Sequence, residues 1–365
     1  MQTLWIFSIE PLETRYTKQW HEHLPVLLRQ KYSNINVVQL DGIQLQSEVT
    51  QGAFLNFSDT NYWKSSQLCK FLEQYNHGRT SPDDHFLFTD AWNPVVLQLR
   101  YMSDLLGQNW KMHGLWHAGA YDKHDFLGRN VGLTPWIVHT EQAMFNAFDH
   151  NYFATDFHIR LFADTYSRGS YNNRDEWIEQ QLLNKKIIRT GWPMEYLTST
   201  VSKGPKRNLI VFPHRIAPEK QVEIFRDLAV QLPQYEFVVC QDQKLTKDEY
   251  HKLLSEAKVL FSANLQETLG ITTCAEGPIA GAIPYAPDRL SYTEIFKDYP
   301  EFLYPSSWTE SFDMYVQARK SIVSQIVEFV ENYENYAARV EEYSTTEMLN
   351  YFSFKGVVGL NDTVY

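Results

Sequence analysis

The 365-residue sequence has little of three things that would point to particular protein classes: cysteine, long apolar runs and clustered positive charge. Its three cysteines, Cys69, Cys240 and Cys274, lie far apart without metal-ligand spacing, which argues against both a disulfide framework and a structural zinc site. No apolar run approaches the roughly 18 residues of a membrane span. The apolar start of the chain ends at Glu10 without a preceding basic stretch, so no signal peptide is predicted either. We therefore expect a cytoplasmic protein, in the host cytoplasm if the chain is viral.

Acidic residues outnumber basic residues in this sequence. The chain carries 33 Lys and Arg against 44 Asp and Glu, a formal net charge of −11, which disfavours a partner held mainly by its negative charge. A few basic residues could still form a local patch for nucleic acid, or simply a solvated face: Lys185, Lys186, Arg189, Lys203, Lys206 and Arg207.

The length and the alternation of short apolar runs with helical segments predict two α/β domains with parallel sheets. The polar stretch Ser199–Arg207 is the predicted linker, which gives an N-terminal domain over 1–200 and a second domain over 201–344. The tail, about 345–365, is a candidate to pack back on the first domain.

The apolar pattern also predicts the individual elements. Strands are predicted at Leu4–Ser8, Asn36–Leu40, Phe86–Asp90, Lys111–Trp116, Trp136–His139, Asn208–Phe212, Glu236–Cys240, Val259–Ser262 and Ile283–Ala286. Helices are predicted at Thr17–Arg29, Asn93–Leu106, Glu219–Leu232, Lys247–Glu256 and Glu267–Ala280, with one or two more in Trp308–Tyr343. Because ligands of parallel sheets bind beyond the carboxyl ends of strands, Ser8, Asp90, His117 and His139 are expected to face a crevice.

The segment Phe212–Lys220 combines a strand end, a short loop with Arg215 and a helix that begins near Lys220. A guanidinium, an ammonium and a helix N-terminus together could bind a diphosphate. A pair of surface cations at a loop is an equally open interpretation.

A second segment, Ser262–Pro284, places Glu267 at a turn and Glu276 in the helix that follows. Two carboxylates in this arrangement could hold two sets of sugar hydroxyls. Gly270 between them would let backbone amides approach a phosphate. Taken alone, the segment is also typical of an ordinary solvent-facing helix.

Together, the R-x-x-x-E-K element at Arg215–Lys220 and the E-T-x-G…E…G-x-x-P element from Glu267 to Pro284 resemble the donor half of the large retaining family of GT-B glycosyltransferases. The resemblance covers about residues 208–290 and implies two Rossmann-like domains with parallel sheets facing a central cleft. It implies that Arg215 and Lys220 bind the donor diphosphate, that Glu267 meets the donor sugar and that Gly270 and Ile271 offer amides to the distal phosphate. It also implies that Glu276 binds the ribose, although eight residues separate the two glutamates, one more than the family usually has.

The first domain resembles the family only in outline. His117 follows a strand, as does a histidine near the donor sugar in many members, and it joins Arg215, Lys220 and Glu267 as the expected catalytic group. The acceptor is expected to bind around 8–16, 90–93 and 117–122, through Ser8, Arg15, Tyr16, Asp90, Trp92 and Asp122. Ten of the twelve histidines precede residue 200, but they lack a coherent set of metal ligands and are read as solvated or hydrogen-bonded.

The expected function is transfer of a sugar from a nucleoside diphosphate sugar to a hydroxyl acceptor, with retention and without a metal or other cofactor. The segment after the first strand lacks the Gly-Gly loop common in bacterial members, so a hydroxymethylated base in phage DNA is an alternative acceptor. A non-catalytic nucleotide-sugar or carbohydrate-binding protein is an alternative of another class. No G-x-G-x-x-G follows a predicted strand, which weakens an oxidoreductase interpretation. The donor base and sugar, the acceptor and the oligomeric state stay open.

Overall fold

The computed structural model describes residues 1–12, 15–45, 47, 56–167 and 173–360. Glu13 and Thr14, within the segment expected to bind the acceptor, lie outside these residues. The chain divides into two compact units. Unit 1 comprises 1–153, 159–193 and 355–365, and unit 2 comprises 154–158 and 194–354. The boundary nearest the predicted linker follows Pro193, and the chain returns to unit 1 at Lys355.

Within the described residues, unit 1 is built on a six-stranded parallel sheet in the order β2-β1-β3-β4-β5-β6. The strands are β1 Thr3–Phe7, β2 Asn36–Leu40, β3 His85–Phe88, β4 Lys111–Leu115, β5 His150–Phe153 and β6 Ile187–Arg189. The helices are α1 Tyr16–Lys31, α2 Phe57–Asn76, α3 Val95–Leu105, α4 Phe126–Asn130, α5 Pro135–Ala147, α6 Asp156–Tyr166 and α7 Arg174–Leu183; the first three residues of α6 belong to unit 2. Strands β1 and β3 are buried along their whole length, as expected of a sheet covered on both faces.

Unit 2 contains, among its described residues, a five-stranded parallel sheet in the order β11-β10-β9-β7-β8. The strands are β7 Arg207–Phe212, β8 Glu236–Val239, β9 Ala257–Phe261, β10 Ile283–Pro287 and β11 Leu303–Tyr304. The α-helices are α8 Leu197–Thr200, α9 Val222–Gln231, α10 Lys247–Glu256, α11 Gly277–Ile279, α12 Leu290–Ile295, α13 Phe312–Glu331, α14 Tyr333–Thr346 and α15 Leu349–Phe352. A π-helical turn covers Thr272–Glu276, and 3₁₀ turns cover Pro218–Lys220, Cys240–Gln243, Pro300–Phe302 and Ser306–Thr309.

One predicted strand is wrong. Trp136–His139 lies in α5, which begins at Pro135 after the N-cap residue Thr134. Proline at the first helical position has the required φ and loses no hydrogen bond. The apolar run Trp-Ile-Val favoured a strand, but the local start signal and the packing of one helical face decide the conformation. His139 therefore lies within a helix and not at a strand end.

The predicted helix Glu219–Leu232 is interrupted at Gln221, which has a left-handed backbone with φ of 53°. Residues Pro218–Lys220 form a 3₁₀ turn, and the α-helix begins only at Val222. The buried Gln221 side chain donates hydrogen bonds to the carbonyls of Ala263 (2.6 Å) and Thr309 (2.7 Å). These bonds hold a conformation that a residue other than glycine adopts at a cost. Lys220 therefore precedes the helix instead of opening it.

The end of the chain is bound to unit 1 by its backbone. Lys31 donates to the carbonyl of Lys355 (2.7 Å), the amide of Val357 donates to the hydroxyl of Tyr32 (2.8 Å) and the amide of Val358 donates to that of Tyr152 (2.8 Å). None of the helices in the described ranges combines the length and the apolar composition that a membrane span requires.

Candidate functional site

The carboxyl end of β7 leads into the loop that carries Arg215. The guanidinium is paired with Glu219, whose side chain is almost completely buried. Nearby Arg215 lowers the pKa of Glu219 against the opposing effect of burial, so this carboxylate stays charged. Glu219 thus fixes a cation at the strand end, where the sequence predicts the donor diphosphate.

Lys220 and Glu267 come together as the sequence predicts, although they are 47 residues apart. Lys220 Nζ lies 3.4 Å from Glu267 Oε2 and donates a 2.6 Å hydrogen bond to the carbonyl of Gln266. The side chain of Lys220 is only 7% exposed, whereas that of Glu267 is 22% exposed. A buried ammonium beside a more accessible carboxylate is suited to bind a phosphate and a sugar hydroxyl side by side.

Gly270 turns the chain directly after this pair. Its φ is +77°, and a Cβ there would lie 2.9 Å from Cε1 of Tyr292 and 3.1 Å from Sγ of Cys274. The position therefore requires glycine for both conformation and space. Ile271 is the first of nine consecutive helical residues that end at Ile279, so the first amides of this helix follow the turn. Such amides attract anions.

The helix after Gly270 is not a regular α-helix. Over Thr272–Glu276 it widens into a π turn, and the amide of Gly277 bonds to the carbonyl of Thr272, five residues back. Each hydrogen bond of a π turn encloses one residue more than that of an α-helix, so such a turn can accommodate an extra residue. The π turn lies between Glu267 and Glu276, where the resemblance implies one residue fewer.

Glu276 is enclosed by α10 and by its own helix. Its Oε1 lies 2.6 Å from Lys247 Nζ and 3.3 Å from Nε2 of His251. Its Oε2 accepts from the hydroxyls of Tyr250 (3.0 Å) and Thr272 (3.1 Å). Burial alone would raise the pKa of Glu276, but Lys247 and His251 outweigh it and lower that pKa to about 2.

In unit 1, both ring nitrogens of His117 have partners. Nε2 lies 2.6 Å from the carbonyl of Thr89, which can only accept, so Nε2 carries the proton. Nδ1 is then the acceptor for the hydroxyl of Tyr16 at 2.8 Å. Burial lowers the pKa of His117, and Trp192 lies against the ring with centroids 4.4 Å apart. The structure thus shows a neutral, oriented imidazole; its predicted catalytic role stays a prediction.

The other residues predicted to bind the acceptor also have internal partners. The carbonyl of Ser8 accepts from Trp63 Nε1 (2.8 Å), and Asp90 lies 3.1 Å from Lys64 Nζ. The Arg15 guanidinium lies 5.3 Å from the centroid of the Tyr16 ring, and Asp122 accepts from the backbone amide of His124 (2.9 Å). The sequence thus places Ser8 and Asp90 next to strand ends, while their role toward a ligand stays a prediction.

Glu141 is a buried carboxylate in α5 that the sequence pattern does not single out. Its side chain accepts from Trp92 Nε1 (2.9 Å), from the amide of Ala120 (2.8 Å) and from the hydroxyl of Tyr166. It is completely buried, and burial raises its pKa. These bonds tie together the segments that follow β3 and β4, so they determine where Trp92 lies.

The histidine excess of unit 1 is partly explained by a hydrogen-bonded pair at the amino end of the sheet. His85 Nδ1 lies 3.0 Å from His113 Nε2, and His113 Nδ1 lies 3.2 Å from the hydroxyl of Tyr152. Burial, with a smaller contribution from His150, lowers the pKa of His85 to about 4, so the ring is neutral. Across the described part of the chain, no three His, Cys, Asp or Glu side chains are grouped as metal ligands.

Comparison with solved structures shows the fold. The chain is similar to sucrose-phosphate synthase from Thermosynechococcus elongatus, with a TM-score of 0.56 and 14% identity over 96% of each chain. It is also similar to HepE of Anabaena in complex with UDP and glucose, with a TM-score of 0.53 and 11% identity over 97% of this chain and 96% of HepE. The catalytic domain of starch synthase IV from Arabidopsis thaliana, bound to ADP and acarbose, has a TM-score of 0.50 and 10% identity over 95% of this chain and 99% of that domain.

These structures are GT-B glycosyltransferases, so the GT-B fold predicted from the sequence is confirmed. No protein-family model matches the sequence. No curated protein matches it either.

Proposed function

We propose that the protein is a glycosyltransferase that moves a sugar from a nucleoside diphosphate sugar to a hydroxyl acceptor. The observation that carries this proposal is the convergence of Lys220, Glu267 and the Gly270 turn at one end of the unit 2 sheet. A cation, a carboxylate and the first amides of a helix match a phosphate–sugar linkage in order and chemistry. The solved relatives named above support the proposal, since UDP or ADP is bound in two of them.

Different residues of the site bind the diphosphate and the sugar of the donor. Arg215 and Lys220 bind the diphosphate, and the amides that follow Gly270 bind its distal phosphate. Glu267 accepts hydrogen bonds from the sugar hydroxyls. Each assignment follows the position of the residue in the family pattern, and the contacts of Lys220 and Glu267 are compatible with it.

The reaction proceeds with retention and needs no metal in this proposal. The bond between the sugar anomeric carbon and the phosphate oxygen breaks, and a bond from that carbon to the acceptor oxygen forms on the same face. The departing phosphate oxygen takes the acceptor proton. Lys220 and Arg215 stabilise the negative charge that develops on the phosphate, which is the role a metal ion has in other transferases.

A carbohydrate or other small hydroxyl acceptor fits the chain better than DNA. Two of the lysines in the candidate basic patch are half-buried and donate hydrogen bonds to backbone carbonyls. Lys186 donates to the carbonyl of Asn146, and Lys206 donates to the carbonyls of Ala257 and Ala280. Burial lowers the pKa of Lys186 to about 8 and that of Lys206 to about 7.

Two further residues of the patch are paired with carboxylates. Lys203 is paired with Glu341, and Arg207 with Glu236 and Glu256. These four side chains are therefore poorly placed to bind phosphates. Salt-sensitive retardation of DNA containing hydroxymethylated bases would support the alternative acceptor.

The test is calorimetric titration with UDP, ADP, GDP and CDP and their glucose conjugates, followed by turnover with the conjugate that binds best. Glu267→Gln should weaken binding of the nucleotide sugar about tenfold and should not weaken binding of the free nucleotide. The sugar contacts the carboxylate, whereas loss of its negative charge leaves the Lys220 ammonium available to the diphosphate. Arg226→Ala is the matched control, since Arg226 is exposed and paired with Asp242 on the surface of the same unit. Equal behaviour of the two variants would refute the site, and binding without turnover would favour a non-catalytic sugar-nucleotide binder.

A further inference from the structure

The network around Glu276 leaves this carboxylate little capacity for a ligand. A carboxylate offers about four lone-pair positions. Lys247 and His251 lie at Oε1, and Tyr250 and Thr272 donate to Oε2. The side chain is only 5% exposed. A ribose hydroxyl that bound Glu276 directly would have to displace one of these four groups.

Lys247 is the accessible member of the network. Its side chain is 28% exposed, and Nζ lies 4.9 Å from the centroid of the Tyr250 ring. An ammonium carries three N–H donors. Within the described chain, Glu276 is the hydrogen-bond acceptor of Lys247, so further donors remain for a ligand. Glu276 and the Tyr250 ring thus hold a cation at a partly open position.

Lys247 also lies at the carboxyl edge of the unit 2 sheet, where the donor is proposed to bind. It opens α10, which follows β8, and β8 pairs with β7 so that Val239 lies beside Phe212 at the two carboxyl ends. The loops that follow these strands are joined, because the backbone amide of Ile216 donates to the side chain of Gln241. Lys247 therefore comes from the same edge as the loop of Arg215.

The distance along the helix fits as well. Glu276 lies five residues after Ile271, which is at most about 7.5 Å along the axis at the α-helical rise of 1.5 Å per residue. In the proposed function the amides near Ile271 bind the distal phosphate, so a group held at Glu276 lies close enough to contact the same nucleotide.

From this geometry we infer that Lys247 binds the ribose hydroxyls of the nucleotide donor and that Glu276 is a positioning residue that holds the Lys247 ammonium. The inference rests on the proposed function and refines it, because it transfers the ribose contact from the carboxylate to the cation. It also gives the π turn a role, because this turn directs the Glu276 side chain toward α10.

A cycle between protein variants and deoxynucleotides tests the inference. Dissociation constants are measured by calorimetry for the best-binding nucleoside diphosphate and for its 2′-deoxy and 3′-deoxy forms. The proteins are wild type, Lys247→Met, Lys247→Arg, Glu276→Gln and the control Lys252→Met, which removes an exposed lysine from the same helix. Thermal melting of each variant checks that it is folded.

Wild type should bind one deoxy form about tenfold more weakly than the parent nucleotide, since a hydrogen bond to a charged group is lost. Lys247→Met should bind the parent about tenfold more weakly and show no further loss with that deoxy form. Lys247→Arg should restore sensitivity to the missing hydroxyl, Glu276→Gln should reduce it, and Lys252→Met should behave as wild type.

Two results would overturn the inference. If Lys247→Met keeps the full tenfold sensitivity, another group binds the ribose. If Glu276→Gln alone abolishes the sensitivity, the carboxylate makes the contact itself. Failure of wild type to bind any of the four nucleoside diphosphates is a different outcome, because it refutes the proposed function and the inference together.

Discussion

The two units use their buried polar residues differently. In unit 2, Lys220 and Glu267 lie close together beside a turn that only glycine can make, and the sequence motif names all three positions. In unit 1, His117 and Trp92 are held by Thr89, Tyr16 and Glu141. The comparison indicates that the side chains predicted to bind the donor lie together in unit 2, whereas the buried polar groups of unit 1 mainly hold the loops that follow its strands. Substitutions should therefore affect turnover in unit 2 and stability in unit 1.

The largest effect is expected for Lys220→Met, which keeps the length of the side chain and removes its charge. Loss of a group that stabilises charge in the transition state lowers the rate on the order of 10²–10³-fold. Steady-state turnover with the best nucleotide sugar measures it. A variant that melts like wild type and turns over at the same rate would contradict both the site and the contrast between the units.

In unit 1 the corresponding substitution is Glu141→Leu. It leaves the donors of Trp92, Ala120 and Tyr166 without their acceptor, which should cost about 3 kcal/mol in the free energy of unfolding. Glu141→Gln keeps one acceptor oxygen and should cost about 1 kcal/mol. Urea unfolding at neutral pH measures both.

The same two Glu141 variants sharpen the comparison. If Glu141→Gln melts close to wild type but turnover falls as far as in Lys220→Met, Glu141 has a chemical role, and unit 1 is more than a scaffold for its loops. If Glu141→Leu is as stable as wild type, the three hydrogen bonds contribute nothing and the assignment of Glu141 as a structural carboxylate is wrong.

The smallest effect is a difference between the units in acid. The pKa of His85, about 4, lies below its ordinary 6.5, so the unfolded state binds the proton first and stability falls as the pH drops from about 6.5 to 4. The pKa of Glu276, about 2, lies below its ordinary 4.5, so its contribution is complete above about 4.5 and is lost between 4.5 and 2. Each contribution changes stability by at most about 3.4 kcal/mol, which is reached only at the acid end of its range, so the change is smallest near neutral pH.

Urea unfolding across this pH range, on wild type, His85→Phe and Glu276→Gln, separates the two contributions. His85→Phe should flatten the decline between about pH 6.5 and 4, and Glu276→Gln should leave that part of the curve unchanged. A decline in this range that persists in His85→Phe would show that the buried histidine pair does not cause it.

The sequence predicts unit 2 better than unit 1 for physical reasons. The predicted bounds of α10 agree with the observed ones, and the structure shows that a capping box between Thr246 and Glu249 marks the start of this helix. In unit 1 the strands β5 and β6 are missing from the prediction. Strand β5 begins with the polar residues His150 and Asn151, and β6 has only three residues, so neither shows a clear apolar run.

A correct prediction of α5 would have identified Glu141 as a buried carboxylate. Ile137, Glu141, Met144 and Phe145 share the buried face of α5, at helical spacing. Had Trp136–His139 been read as the start of a helix, a carboxylate among apolar side chains would have stood out as a buried group in need of donors. The left-handed conformation of Gln221 has no such local signal, since it depends on carbonyls of Ala263 and Thr309 that are distant in sequence.

The π turn at Thr272–Glu276 has a consequence for aligning this chain with others. In a regular α-helix, one inserted residue rotates every later side chain by about 100°. Here the wider turn absorbs that rotation, and Gly277 still meets β9 so closely that a Cβ would lie 2.6 Å from Cδ1 of Leu260. A chain with one residue fewer between the two glutamates would need no such turn to keep both carboxylates on the same side. Superpositions should therefore start from each end of this helix and place a one-residue gap inside the turn.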